Sequence, residues 1–412
     1  MKNGNLIIFL LLLTFLFSCT DSFIDEIKKK VEDEKAPTYR VIYNGNGEDA
    51  GEVPVDPNEY KEGDTVTVLG NPGNLIKLKY LYAGWNTKPD RSGDEYVEGD
   101  TFEMGSENVT LYAHWKYDLS GITNRDMAEV KGGTFLQQNI VSEEFTHTVS
   151  SFSMGKYEVT YDLWYEVYNW AVEHGYNIAN PGREGSEGTD GAKPSGITLK
   201  PVANITWRDA IVWCNAYSEI SELTPVYYTD PLFTTPLRSS TTNSDIDTTP
   251  GSEDNPYVNW NADGYRLPTE GEWMYAASYI DGSSWLPMDH VSGDTTGPCY
   301  LEDGGQLSTV FGDYVWYQGN SGGKSQDVGA KKPNFLDIYD MSGNLQEWCW
   351  DWYAPWPTSP RTDYRGPNSG IYRKVHRGTW KEPSDACRVG CYANMYPYTL
   401  NYATGFRVVR SR

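Results

Sequence analysis

Apolar and polar positions change rhythm several times along the chain. Residues 6–17 are almost wholly apolar, with Lys2 ahead of them; the run is too short to span a bilayer and has the length of a signal-peptide core. Within residues 39–115 apolar positions recur at every second residue, in Tyr39-Arg40-Val41-Ile42-Tyr43, in Thr65-Val66-Thr67-Val68 and over 109–115, with Gly- and Asp-rich turns between. This period predicts short strands with one buried face. After residue 127 the pattern mixes. Residues 152–160 read as a strand turning into a helix capped by Thr160 and continued over 163–171. A second helix is predicted over 208–219, with Thr206 as its cap and Ala210, Val212, Trp213, Ala216 and Tyr217 on its apolar side. Residues 225–261, rich in Thr, Ser and Asp, read as loop, and a short helix follows in which Thr269 and Glu272 fit a capping box.

Residues 338–352 have the look of the scaffold around which the rest is organised. Ser342-Gly343-Asn344 supplies a turn, since Gly has no steric penalty at positive φ and Asn tolerates it, and an aromatic run follows that only a core absorbs. One reading is a turn feeding a buried strand. In the other, Asp340 and Glu347 bracket the turn, and their carboxylates converge with the intervening carbonyls on a hard cation such as calcium.

At 412 residues the chain is too long for one ordinary core, so two or three units are expected. Residues 20–38 are dense in charge and poor in apolar material, which makes them a flexible tether. A net charge of −23 repels phosphate and argues against nucleic acid as a partner. Besides Cys19 there are five scattered cysteines, an odd number with no disulfide framework, and the five histidines include no pair at metal-ligand spacing.

Three resemblances refine this picture. Leu16-Phe17-Ser18-Cys19 resembles the lipobox of bacterial lipoproteins, which implies a signal peptide over 1–18 and lipidation of Cys19; a soluble secreted product cut nearby is the alternative. Tyr43-Asn44-Gly45-Asn46-Gly47, Ala83-Gly84-Trp85-Asn86-Thr87 and Leu111-Tyr112-Ala113-His114-Trp115 resemble the Listeria-Bacteroides (internalin B type) repeat. That implies a small β-rich, ubiquitin-like module over 39–115, acting as a spacer, followed by a linker over 116–126. Over 127–412, Gly132-Gly133-Thr134-Phe135, Arg266-Leu267-Pro268-Thr269-Glu270, Gly343-Asn344-Leu345-Gln346-Glu347-Trp348, Arg377-Gly378-Thr379-Trp380 and Gly405-Phe406-Arg407 resemble the formylglycine-generating enzyme (sulfatase-modifying factor) family. The resemblance implies an α+β fold, an irregular C-type-lectin-like domain with high loop content.

It also implies a structural calcium held by the side chains of Asp340 and Glu347 and the carbonyls of Gly343 and Leu345. Catalysis in that family uses two copper-binding cysteines in the loop after the Arg-Gly-Gly-Ser-Trp-like segment. The matching loop here, Lys381-Glu382-Pro383-Ser384-Asp385-Ala386, has none, and Cys387 and Cys391 fall outside those positions. The scattered histidines likewise argue against the related iron-dependent sulfoxide synthases. Tyr392, Asn394, Tyr396, Tyr398, Thr399, Asn401 and Tyr402 crowd the segment before the closing Gly-Phe-Arg, and such residues combine rigid contact area with adaptable hydrogen bonding. This segment resembles the variable region of retroelement-diversified proteins of the same fold. The expected protein is lipid-anchored in the cell envelope, at the outer membrane surface, and binds an extracellular protein or glycan through this C-terminal loop face. A copper-dependent oxidase using Cys387 and Cys391, or a purely structural envelope protein, are the alternatives.

Overall fold

The computed structural model describes residues 36–412 apart from 197–198 and 301–305, together with 25–26 and 28–29. The signal segment and Cys19 lie outside the described residues. Residues 25–26 and 28–29, inside the expected tether, are helical, and Asp25 and Lys28 form an exposed ion pair one helical turn apart. No described helix is long and apolar enough to cross a membrane. The chain divides into two units, Met1–Asp118 and Leu119–Arg412.

In the first unit the predicted alternation is realised. β1 (Val41–Asn44) buries Val41 and Tyr43 and exposes Ile42 and Asn44. It runs parallel to β6 (Val109–Tyr117), which pairs antiparallel with β3 (Tyr80–Asn86), itself edged by β4 (Glu95–Tyr96). β2 (Thr65–Thr67) and β5 (Thr101–Glu103) form a separate antiparallel pair. Val41, Tyr43, Val66, Trp85, Leu111 and Trp115 share one core, and the two indoles satisfy their N–H groups on the Leu69 and Gly45 carbonyls, each at 2.8 Å. β6 continues through Tyr117, two residues into the segment expected as linker; its last turn-away is set by strand pairing with Tyr80 and Leu81, which composition does not reveal.

The second unit is built from short strands, three helices and long connections. Its first sheet, in order β15-β21-β10-β7, combines β7 (Met127–Val130), β10 (Phe152–Gly155), β15 (Tyr265–Arg266) and β21 (Val409–Ser411), so the end of the chain lies between two earlier segments. A second sheet, β19-β18-β16-β20, comprises β16 (Gln346–Trp352), β18 (Arg373–His376), β19 (Tyr392–Met395) and β20 (Thr404–Gly405). A third joins β8 (Gly133–Gln138), β9 (Glu144–Val149) and β17 (Arg361–Thr362), and β11 (Arg183–Glu184) pairs with β12 (Val202–Ala203). The stretch expected to be loop over 225–261 also contains a small pair, β13 (Tyr227–Tyr228) and β14 (Tyr257–Val258), because Asn215 of a neighbouring helix bonds the backbone of Tyr227 at both N–H and carbonyl.

Helix α1 (Tyr161–Glu173) starts after Thr160 as predicted, but the Thr160 hydroxyl makes no capping bond. In α2 (Trp207–Ile220) and α3 (Glu270–Ser278), Thr206 with Asp209 and Thr269 with Glu272 form complete capping boxes, each satisfying two backbone donors reciprocally. α2 departs from its predicted one-sided character: every residue except Glu219 is buried. Its polar residues are tolerated because they are paired, Arg208 binding the Asp254 carboxylate with two bonds of 2.7 Å. Trp164 of α1 stacks on Trp213 of α2 at 5.5 Å, and Phe406 packs edge-on against both rings.

Candidate binding face and the buried ion-pair hub beneath it

The turn at 342–344 is made as its residues require. Gly343 (φ +89°) and Asn344 (φ +57°) are both left-handed, and a Cβ on Gly343 would stand 2.3 Å from the Trp316 carbonyl oxygen. From this turn β16 enters the core with all seven residues buried.

Three acids meet there, not two. The Glu347 carboxylate accepts from the Trp273 indole at 2.7 Å and from Arg407 at 2.8 Å (Nε) and 2.6 Å (Nη2). Arg407 also donates to the carbonyls of Gly155 (3.1 Å) and Tyr339 (3.0 Å). Glu158 accepts from Asn344 Nδ2 at 2.6 Å and from Leu345 N at 3.0 Å. Asp340 takes the Gly329 N–H on Oδ2 at 2.7 Å, while its Oδ1 is buried without a partner. Burial, then the charges of Asp340 and Glu347, push Glu158 well above the usual carboxylate range, and burial raises Asp340 to about 6.

This arrangement can be set against the expected calcium site. Calcium takes carboxylate and carbonyl oxygens, but both Glu347 oxygens are filled by a guanidinium fork and an indole, and a cation placed there would face Arg407. Among the described residues no group of three or more His, Cys, Asp or Glu is arranged to hold a metal ion. Of the expected set Asp340, Gly343, Leu345 and Glu347, the Glu347 carboxylate is engaged by Arg407, which brings a positive charge to the place where spacing alone had assigned a metal.

The cysteines are also placed otherwise than as a pair. Cys299 joins Cys387 and Cys391 around one short 3-10 turn, Ser384–Cys387. Their thiols donate to three successive carbonyls of that turn and its flank, Cys387 to Pro383 at 3.9 Å, Cys299 to Ser384 at 3.3 Å and Cys391 to Asp385 at 3.2 Å. All three are buried and free. Burial pushes each thiol up, Cys299 to about 12, so each is a neutral donor to its carbonyl. In a chain carrying Cys19→Ser, Ellman's reagent at neutral pH is expected to titrate none of the five remaining cysteines until denaturant is added; prompt reaction of Cys387 or Cys391 in the native chain would reverse this assignment.

Above the hub, β19 pairs with β18, and the loop that follows is pinned to the start of α2: Trp207 N donates to the Pro397 carbonyl at 3.1 Å and Asn204 N to the Asn401 carbonyl at 3.2 Å. Tyr396 stacks on Tyr398 at 5.0 Å and 9°, and its hydroxyl meets that of Tyr372 at 3.1 Å. Arg208 lies over the Tyr398 ring at 5.7 Å. A second aromatic group is Tyr402 against Trp380 at 6.1 Å, with Lys381 over it at 4.3 Å. Asn394, Tyr396, Leu400 and Tyr402 are exposed, Leu400 and Tyr402 at 45% each, and Thr399 is half-buried. Tyr392 is elsewhere: the Lys374 ammonium sits 3.6 Å from its ring centre, beside Tyr353 and Trp356, and burial raises its phenol. Asn401 spends its side-chain oxygen on Ala403 N at 2.9 Å, holding the loop. Tyr372, Trp380 and Lys381 complete the face, with buried Arg208 supporting the Tyr398 ring from below, and they carry no local signal in the sequence, since strand pairing and the loop's seat on α2 bring them in.

Comparison with known proteins agrees with this architecture. Residues 117–412 match the sulfatase-modifying factor enzyme 1-like domain, and residues 39–114 the Listeria-Bacteroides repeat domain. The chain is 32% identical over 290 residues to the chaperone protein LppX of Paenibacillus barcinonensis, covering 70% of this chain and 90% of that protein. Variable protein 1 of Treponema denticola is similar in structure, with a TM-score of 0.53 and 31% identity over 69% of this chain and 94% of that one. A formylglycine-generating enzyme of Streptomyces coelicolor is 28% identical over 159 residues, 37% of this chain and 48% of the enzyme. With a match that spans most of its length, the chain belongs to the sulfatase-modifying factor enzyme 1-like domain family, and carries a Listeria-Bacteroides repeat domain ahead of it.

Proposed function

We propose that the protein is a non-catalytic binding member of its family, held in the cell envelope through a lipid on Cys19, which recognises an extracellular protein or glycan with the C-terminal loop face. The observation that carries this reading is the aromatic surface of exposed Tyr396 and Tyr402 with half-buried Tyr372 and Tyr398, on a loop whose backbone is pinned at the start of α2 and flanked by exposed Lys381. Aromatic side chains with few rotamers, backed by a buried ion-pair hub, lose little entropy on binding. The similarity to a protein named as variable fits a fold used to present a changeable face on a fixed frame. Similarity to proteins of Evansella cellulosilytica named as putative membrane proteins, of which this chain spans 13% and 11%, supports the envelope placement. Against the oxidase reading stand the neutral, carbonyl-bound thiols at Cys299, Cys387 and Cys391.

The test is a glycan array and an array of extracellular proteins probed with the chain and with Tyr396→Ala/Tyr402→Ala. Specific binders of the parent chain are expected to weaken at least about tenfold in the double variant, as interface tyrosines commonly do. Binders that ignore the double variant, or copper-dependent oxygen uptake with a cysteine-containing peptide, would overturn the reading.

A further inference from the structure

Two cavities of the larger unit meet at a common wall away from the loop face. One is an open cleft of about 530 Å³ lined by Pro250, Pro256, Tyr257, Trp350 and Trp352; the other, about 190 Å³, is polar and lined by Ser150, Arg266, Glu272 and Asp363. Trp260 and Arg365 line both, and no residue of 392–402 lines either. The larger volume lies in the range of small-molecule sites, and its walls combine aromatic rings and prolines with the polar side chains of Asn255, Arg365 and Asn368.

The charges at this wall are unevenly answered. Arg266 is bound by Glu272 with bonds of 2.7 and 2.6 Å, and Asp363 accepts from Ser150 N and Oγ, both at 2.7 Å. Arg365 is different. Its guanidinium lies 3.9 Å from the centre of the Trp260 ring, and among the described residues it makes no hydrogen bond or ion pair. Burial and the neighbouring Arg266 hold it below the usual arginine range, against the opposing pull of the Asp363, Glu272 and Asp351 carboxylates. On the same cleft, Trp352 is 2% exposed and its indole N–H has no acceptor. Buried donors are nearly always satisfied in folded proteins. The cleft thus presents a half-buried cation with no hydrogen-bonded or ion-paired partner among the described residues, beside an aromatic-walled volume.

We propose that this cleft is a second binding site, for a small organic anion whose carboxylate or phosphate head is bound by the Arg365 guanidinium and whose apolar ring lies among Tyr257, Trp260 and Trp350. It is independent of the loop face, so either reading can fail without the other.

The experiment follows the tryptophan indole ¹⁵N–H resonances of the full chain during titration with benzoate, phenyl phosphate, benzyl alcohol and inorganic phosphate. Benzoate or phenyl phosphate is expected to bind with a Kd of about 1 mM or tighter and to move the Trp352 and Trp260 indole signals; the tighter of the two identifies the head group. Benzyl alcohol, which keeps the ring without the charge, and inorganic phosphate, which keeps the charge without the ring, are each expected to bind at least about tenfold more weakly. Arg365→Gln should abolish the response, and Arg365→Lys, which keeps the charge and the fold but loses the planar fork, should weaken it. Silence toward both aromatic anions, equal binding of benzyl alcohol or inorganic phosphate, or an unchanged response in a folded Arg365→Gln chain would overturn the proposal.

Discussion

Replacing Arg407 by methionine is expected to destabilise the larger unit by about 3–5 kcal/mol, the usual cost of removing one partner from a buried ion pair. The size follows from what remains. Arg407 and Glu347 are fully buried, and the guanidinium also serves two backbone carbonyls. Methionine would leave Glu347 with one donor, the Trp273 indole, in a space it shares with Glu158 and Asp340. At least one of these acids would then have to stay protonated at neutral pH. Equilibrium urea unfolding checks this, and the double variant Glu347→Gln/Arg407→Met discriminates the cause. If the penalty comes from a stranded charge, the double variant should be less destabilised than the sum of the two single changes. A single-variant loss below about 1 kcal/mol would show that the hub is not carrying charge as described.

The second large effect is a fall in stability as pH rises from 6.5 to 8. Asp351, buried beside Glu270, accepts the Glu270 N–H at 2.7 Å but has no cation of its own, because Lys374 is bound to Glu270 at 2.9 Å. Burial, then the Glu270 charge, raises Asp351 from 3.8 to about 8. A raised acid binds more protons folded than unfolded, so its contribution is full below its unfolded value and is lost as pH climbs through its folded one. Asp340, raised to about 6, has the same sign over a lower window. Two histidines oppose them. Burial lowers His147 from 6.5 to about 4, its ring nitrogens held by Gln137 and Tyr364 N, and lowers His376 as well. Both histidines therefore add stability as pH rises toward 6.5, where the unfolded imidazoles lose their protons. Above that, the raised acids remain, Asp351 with Glu158, which burial also raises. One and a half pH units at about 1.4 kcal/mol each predict a loss of about 2 kcal/mol between pH 6.5 and 8. In Asp351→Asn, which keeps an oxygen to accept the Glu270 N–H, the loss between these pH values should shrink by this amount; urea midpoints at the two pH values decide it.

Much of the frame was legible because its causes are local. A Thr with an acid three residues on at a helix start can close a capping box, and the cap expected at Thr206 and the box expected at Thr269 both formed, each as a complete box. Alternation over 41–44 placed Val41 and Tyr43 inward, and Gly343-Asn344 took the left-handed turn its residues favour. Thr160 marks the boundary of such reasoning. Its position at the start of α1 was readable, whereas the missing cap bond depends on how its buried hydroxyl is packed.

What failed to be legible joined distant residues. Spacing drew Asp340 and Glu347 together across one turn and called for a cation. The fold supplied that charge from Arg407, 60 residues beyond Glu347, and added Glu158, 186 residues before Asn344. Tyr392 and Tyr396 look alike in sequence, yet pairing of β19 with β18 sets one beside Lys374 and leaves the other in solvent. Cys299 joined Cys387 only when a turn 85 residues away folded against it. The sequence alone determined where helices begin, which strand faces are apolar and which family the chain resembles, because backbone sterics, capping and period act over a few residues. The tertiary structure alone decided which charges meet, since an acid buried with an arginine and one buried without look identical until the chain closes around them.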